Sequence, residues 1–387
     1  MKRNIILNLA IASALFAACS NDETVDLNNG NVIAFRTLVD ASTRANQETT
    51  SSLNSFKVTA IRSTGVEFST TVNKAGSTWN TEGRYFWPDY ELKFYAYANG
   101  PASGKGTVTI TKDSKTITGF TPDGNVTNHK DLLVAYKSGT KTDYNSAPIP
   151  LNFKHALSQI EVKAKNEQAS SVKVEVIGVK LVNMATKADL AFPATELSAG
   201  TKLPDGTWSN HNDLNDPTKA YYSNGTEAVT LTNELQSIMF GDNNFMVIPQ
   251  QLTPWNSTVN EPDNEKNKQG AYLAVLCRIS NLSDAGETLI YPQPTANDDK
   301  AGKYAYSAVS INTKWEPGKK YIYNLTFCGN GGGGGKIDPN PENPGGNTDG
   351  KTDENPGTGG KDVLGGPITF SVTVDEWVEV APETINM

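Results

Sequence analysis

Residues whose types could do chemistry are sparse. The chain holds three histidines, His129, His155 and His211, and three cysteines, Cys19, Cys277 and Cys328. No histidine lies at metal-ligand spacing from another histidine or a cysteine, so no metal site is expected. Gly-x-Ser-x-Gly, His-Glu-x-x-His and P-loop patterns do not occur. His155 has a nucleophile type three residues on, Ser158, but no acid is placed beside the pair, and it reads as structural. Carboxylates are plentiful, yet nothing singles out two of them as a glycosidase pair. No catalytic residue, cofactor or enzymatic activity is expected. Cys277 and Cys328 sit in strand-like runs, as one disulfide or as two buried thiols.

Cys19 carries the most specific chemistry. Lys2 and Arg3 precede an apolar stretch from Ile5 to Ala18, which is shorter than the ~20 residues a bilayer-spanning helix needs. This is an export signal with two cleavage readings. Ala12-Ser13-Ala14 offers small residues to an ordinary peptidase. Leu15-Phe16-Ala17-Ala18-Cys19 resembles a lipobox, with Phe16 departing from the usual leucine. Cys19 stands where the apolar run stops, which favours the lipobox. A lipid on its thiol and an acyl chain on its new amino group give the multiple anchors stable attachment needs. Ser20, Asn21, Asp22 and Glu23 then resemble an acidic surface-export signal, with a merely solvated tether as the alternative.

The elements that carry these residues read as β throughout. Phe56, Val58 and Ala60 alternate with polar neighbours, as do Leu92, Phe94 and Ala96, then Val172, Val174 and Val176, then Tyr321, Tyr323, Leu325 and Phe327. Turn clusters such as Ser103-Gly104-Lys105-Gly106 and Pro204-Asp205-Gly206 separate them. His155 to Ile160 is at most a short helical turn. Many short strands without helices predict sandwiches. The pattern divides into 1–18 signal peptide, 19–31 lipidated tether, 32–165 first β-sandwich and 166–328 second. A linker at 329–366 holds 14 of the 33 glycines and few apolar side chains, so a flexible tether is expected there. Residues 367–387 end the chain with the cleanest alternation in it: Ile368, Phe370, Val372 and Val374 against Thr369, Ser371 and Thr373. Trp87, Trp255 and Trp315 stand at sheet ends and read as core anchors rather than sugar platforms. With Lys and Arg at 34 against Asp and Glu at 42, the net charge of −8 gives no basic stripe for nucleic acid.

Several ordered segments together resemble the fimbrillin family of Bacteroides-type bacteria. They are Tyr85-Phe-Trp-Pro with Leu92-Lys-Phe-Tyr-Ala-Tyr, Asp131-Leu-Leu-Val-Ala, Leu151-Asn-Phe-Lys-His-Ala-Leu-Ser-Gln-Ile, Met246-Val-Ile-Pro-Gln, Trp315-Glu-Pro-Gly-Lys-Lys-Tyr-Ile-Tyr and Ile368-Thr-Phe-Ser-Val-Thr-Val. The resemblance implies an all-β chain of two tandem transthyretin-like β-sandwich domains, a lipobox, and assembly into fimbriae by strand exchange. It also implies a trypsin-like cut after an arginine in a polar loop behind the first strand. Arg44, in Ala41-Ser-Thr-Arg-Ala-Asn-Gln, is the position that fits. Such a cut would remove the lipid with the first strand and leave unpaired edges for a neighbour's strand. Ile368, Phe370, Val372 and Val374 mark the candidate donor. The expected partners are other fimbrial subunits by β-strand addition and the outer membrane through lipid, at the cell surface or in a fimbrium. The alternative is a non-polymerising surface lipoprotein that binds glycans or host proteins.

Overall fold

The structure is a computed structural model and describes residues 31–39, 49–145, 147–198, 200–241, 243–256, 269–330, 333–341 and 350–376. The strands run, in chain order, β1 (Phe35–Val39), β2 (Ser55–Arg62), β3 (Gly65–Ala75), β4 (Thr78–Thr81), β5 (Leu92–Ala98), β6 (Thr107–Ile110), β7 (Lys115–Phe120), β8 (Leu133–Gly139) and β9 (Ile149–His155). They continue with β10 (Ser158–Asn166), β11 (Val172–Val182), β12 (Lys187–Ala191), β13 (Trp208–Asn212), β14 (Tyr221–Thr230), β15 (Gln236–Ser237) and β16 (Phe245–Val247). The last are β17 (Tyr272–Ser283), β18 (Gly286–Tyr291), β19 (Ala305–Ser310), β20 (Lys319–Phe327), β21 (Lys336–Ile337) and β22 (Thr369–Glu376). The one α-helical turn is α1 (Lys141–Tyr144) among the described residues. No helix there is long and apolar enough to cross a membrane.

The alternation in the sequence explains the first sheet, of order β1-β9-β8-β5-β2-β3-β4. Phe56, Val58, Ala60, Leu92, Phe94 and Ala96 face one core with Ile149, Leu151 and Phe153. The sheet rolls until its outer strands β1 and β4 come into contact. Its other face carries Tyr95, Val134 and Tyr136, covered by a second sheet of order β13-β12-β7-β6. That covering sheet joins β6 and β7 to β12 and β13 from far along the chain, through pairs such as Ala188↔Phe120.

The remaining strands make a two-sheet core. One sheet runs β15-β10-β20-β22, with β16 also on β10. The other runs β14-β11-β17-β19-β21, with β18 on β17. Ile160, Val162, Tyr323 and Leu325 from the first meet Val174, Val176, Val275 and Cys277 from the second.

Three sequence expectations change. His155 to Ile160 holds the end of β9 and the start of β10, because Ile160 is needed in the second core. The division at 165/166 falls inside β10, which pairs with β20 over Gln159 to Asn166; the chain first passes to the two-sheet core at Ala156–Leu157 and returns in β12 and β13 to cover the rolled sheet. The linker is not a free tether over its described parts. Gly333–Ile337 and 350–363 run along the sheet containing β19, through backbone bonds such as Tyr304 N–H to Lys351 O and Asp353 N–H to Tyr304 O, both 2.8 Å. Ile337 and Val363 are buried against the second core, and backbone pairing and buried polar contacts supply the rest of the attachment.

Candidate strand-exchange site

β1 is an edge strand with a buried inner face. It pairs in parallel with β9, from Phe35↔Ile149 to Val39↔Phe153. Alternation sends Ile33, Phe35, Thr37 and Val39 inward, all buried, and leaves Arg36 exposed. The Phe35 ring stands edge-on to Phe94 at 5.7 Å and to Phe56 at 6.1 Å. Two backbone bonds fix the approach, from Ile33 N–H to Tyr85 O at 2.9 Å and from Trp87 N–H to Asn31 O at 2.7 Å. Burying an Ile, Phe or Val side chain is worth about 1.5–3 kcal/mol. The strand is therefore tightly seated, yet only the chain after Val39 joins it covalently to the rest. Arg44 lies in that connection, outside the described residues, as do Cys19 and Ser20 to Glu23.

β22 is the opposite kind of edge. It pairs antiparallel with β20, from Thr326↔Thr369 to Lys319↔Glu376. Among the described residues no strand occupies its other side. Ile368 is buried, Phe370 and Val372 are half-buried against the second core, and Val374 is 48% exposed. Phe370 meets the Tyr323 ring at 6.1 Å. Burial thus declines along the strand. The sequence's candidate donor closes its own sheet in this structure, and it does so loosely at its far end.

The two edges carry the same pattern. Ile33-x-Phe35-x-Thr37-x-Val39 and Ile368-x-Phe370-x-Val372-x-Val374 put the same side-chain types at the same spacing, with one difference. That difference is Thr37, whose buried hydroxyl has no hydrogen-bond partner among the described residues. A buried unsatisfied hydroxyl costs about 1–3 kcal/mol. Valine at that position has the same shape and no such cost. The match was visible in the sequence; the missing partner of Thr37 was not.

The other residues singled out by type have structural positions. His155 Nδ1 lies 2.6 Å from Asp131 Oδ2, both side chains buried. The acid missing beside His155 in the sequence is therefore Asp131, brought from β8's approach. Ser158 does not complete a triad, because its Oγ donates to the Glu316 carbonyl at 2.7 Å. His211 Nε2 meets the Pro249 carbonyl at 2.9 Å. Cys277 and Cys328 are buried free thiols, and burial pushes both thiol pKa values up. Trp87, Trp255 and Trp315 are buried. Among the described residues no group of three or more His, Cys, Asp or Glu side chains is placed to hold a metal ion.

These features define an all-β protein of several sheets, with a sheet edge at the start of its described chain and another at the end. The chain belongs to the fimbrillin-like family, whose model matches residues 43–339. Among solved structures it is similar to a fimbrial protein from Bacteroides vulgatus, with 15% identity and a TM-score of 0.48, covering 90% of this chain and 100% of that one. It is also similar to a putative cell adhesion protein from Bacteroides ovatus, with 12% identity and a TM-score of 0.42, covering 90% and 99%. A fimbrilin from Porphyromonas gingivalis shows 10% identity and a TM-score of 0.43, covering 91% and 98%. Comparison with curated proteins gives no match.

Proposed function

We propose that the protein is an outer-surface lipoprotein that becomes a fimbrial subunit, or a fimbria-associated protein, by protease-triggered strand exchange. The lipobox cysteine Cys19 takes the lipid, and Ser20 to Glu23 direct the chain outward across the outer membrane. A cut after Arg44 separates β1 from the body. β1 leaves, and the groove along β9 receives the terminal strand of a neighbouring subunit. The body is two transthyretin-like β-sandwich units in series, the first on the rolled sheet and its cover, the second on the two-sheet core.

One observation carries this reading: the first strand and the last share the Ile-x-Phe-x-(Thr/Val)-x-Val pattern. In the same direction and register, Ile368, Phe370, Val372 and Val374 would take the places of Ile33, Phe35, Thr37 and Val39. The incoming strand matches the groove in size and removes the stranded hydroxyl of Thr37. It also moves from a half-exposed edge to buried positions, which favours exchange over self-closure.

The test is the N-terminus of the assembled material. Sheared surface filaments should contain this chain beginning at Ala45. Surface material that holds only lipidated forms beginning at Cys19 would falsify the strand-exchange reading and leave a resident lipoprotein.

A further inference from the structure

One groove lies apart from both edges. It measures about 370 Å³, within the size range of sites that hold small ligands. Three segments that are distant in the chain converge on it. The end of β2 brings Arg62, the approach to and start of β5 bring Tyr90 and Lys93 with Tyr95 beneath, and the β6–β7 turn brings Lys112 and Lys115. Four cations thus face one space, and Glu91 is the single carboxylate in the lining.

The charges are held rather than scattered. Thr111 Oγ1 accepts from the Ser114 N–H at 3.1 Å, which fixes the β6–β7 turn. Lys115 Nζ donates to the Lys112 carbonyl and sits 6.0 Å from the centre of the Tyr95 ring. Arg62 bonds the Tyr90 hydroxyl at 3.4 Å and is offset by Glu67, also at 3.4 Å. Lys93 and Lys112 form no ion pair among the described residues. Asp89 and Asp113 flank the groove in sequence but do not line it. In a chain of net charge −8, Lys93, Lys112 and Lys115 gather with Glu91 as the one carboxylate of the lining, so their mutual repulsion is only partly offset, and an anion entering between them relieves that cost. Tyr90 is 41% exposed and adds an aromatic surface at the rim. Phenol faces pack against the C–H faces of pyranose rings, while ammonium and guanidinium groups bond carboxylate or sulfate.

The groove also lies at the end of the rolled sheet where β1 begins. Arg62, Lys93 and the start of β9 share one end of the rolled sheet, by the pairings Ile61↔Lys93, Leu92↔Gly139 and Phe35↔Ile149. Val39 and His155, where the chain leaves toward Arg44 and toward β10, lie at the other end.

We propose that this groove is a binding site for acidic saccharides, sugars bearing a carboxylate or sulfate. It adds a ligand class to the surface role proposed above and rests on that reading only for its biological setting. It needs no strand exchange.

The test is calorimetric titration of the full chain with sialyllactose and with a sulfated chondroitin disaccharide, using lactose and inorganic sulfate as controls. An acidic sugar should bind at least tenfold tighter than lactose, and the affinity should fall several-fold between about 50 and 300 mM salt. Lys93→Gln with Lys112→Gln should weaken it at least tenfold at an unchanged melting temperature. Lys112→Glu, on an exposed turn, gives the same readout independently. Tyr90→Ala should weaken the sugar about fivefold and leave inorganic sulfate unaffected. The proposal is overturned if neither acidic sugar binds at millimolar concentration, if the lysine variants bind as tightly as the parent, or if inorganic sulfate binds as tightly as the sugars. Because the measurement uses single chains, such a failure leaves the Ala45 result untouched, and a missing Ala45 terminus leaves this one untouched.

Discussion

At the scale of single residues, buried polar groups decide more than the apolar side chains around them. Thr37 contributes its methyl to the first core but leaves its hydroxyl unmatched. Thr37→Val should therefore stabilise the uncut chain by about 1 kcal/mol or more, read as a higher urea midpoint at an unchanged slope. The same change should slow replacement of β1 after cutting, since it removes the advantage of Val372. His129 shows the opposite arrangement, with both ring nitrogens satisfied. Nδ1 accepts from the Met246 N–H at 2.8 Å, so Nε2 carries the proton and donates to the Asp123 carbonyl at 2.7 Å. Burial holds its pKa down to about 4, against the ordinary 6.5. Between those values the unfolded chain binds more protons than the folded one, so stability rises with pH across that window. It is fully present above 6.5, and about 3 kcal/mol is lost by the time the pH has fallen through 4. Urea midpoints at intervals from pH 7 to pH 4 check the slope. His129→Gln should flatten it, and an equal slope in that variant would assign the effect to other groups.

At the scale of elements, the linker is the informative case. Its glycines and prolines read as a tether, yet Asp338 is buried with its Oδ2 2.9 Å from Lys180 Nζ on β11. Tyr272 donates to Asp338 Oδ1 at 2.8 Å, and the Tyr306 ring centre lies 3.8 Å from Lys180 Nζ. This fastens the segment after β21 across the outer face of the β11–β17–β19 sheet. Asp338→Ala should cost about 3–5 kcal/mol, because it leaves Lys180 charged and buried. Lys180→Met with Asp338→Leu should recover most of that loss, and a double-mutant cycle on denaturation midpoints measures the coupling. The sequence could not show this pair, since Lys180 and Asp338 are far apart and nothing marks either in its own segment. What was legible was local. Period-two alternation located β2, β5, β11, β20 and β22, because each presents one face to a core. It failed where a requirement came from elsewhere in the chain. His155 to Ile160 lacks a clean alternation because β9 ends and β10 begins within it. The cover sheet unites β7 with β12, a pairing that no local pattern encodes. Asp131 became the partner of His155 only through packing.

At the scale of the whole molecule, the edges made by the first and last described strands differ in quality, and the difference would give the proposed exchange its direction. The inner face of β1 is buried from Ile33 to Val39, whereas β22 lies on its own sheet with burial fading toward Val374. While β1 is covalently attached it fills the better seat. On the proposed reading a cut behind Val39 would remove that attachment, and a strand with the same pattern and no stranded hydroxyl would compete for the seat. Register gives the sharpest test, because strand faces alternate and a slip of one residue reverses every side chain. In the matching register Val372 points into the core at the Thr37 position, and Ser371 stands outward where Arg36 is exposed. Val372→Asp should therefore abolish assembly of cut chains, since it would bury an unpaired carboxylate in an apolar groove. Ser371→Asp should leave assembly intact. In the single chain Val372 is only half-buried, so both variants fold, and melting temperatures confirm this before assembly is read by size-exclusion chromatography. Loss of assembly in Ser371→Asp with retention in Val372→Asp would place the donor one residue out of this register. Equal assembly in both would show that β22 stays on β20 and that another strand, or none, fills the groove beside β9.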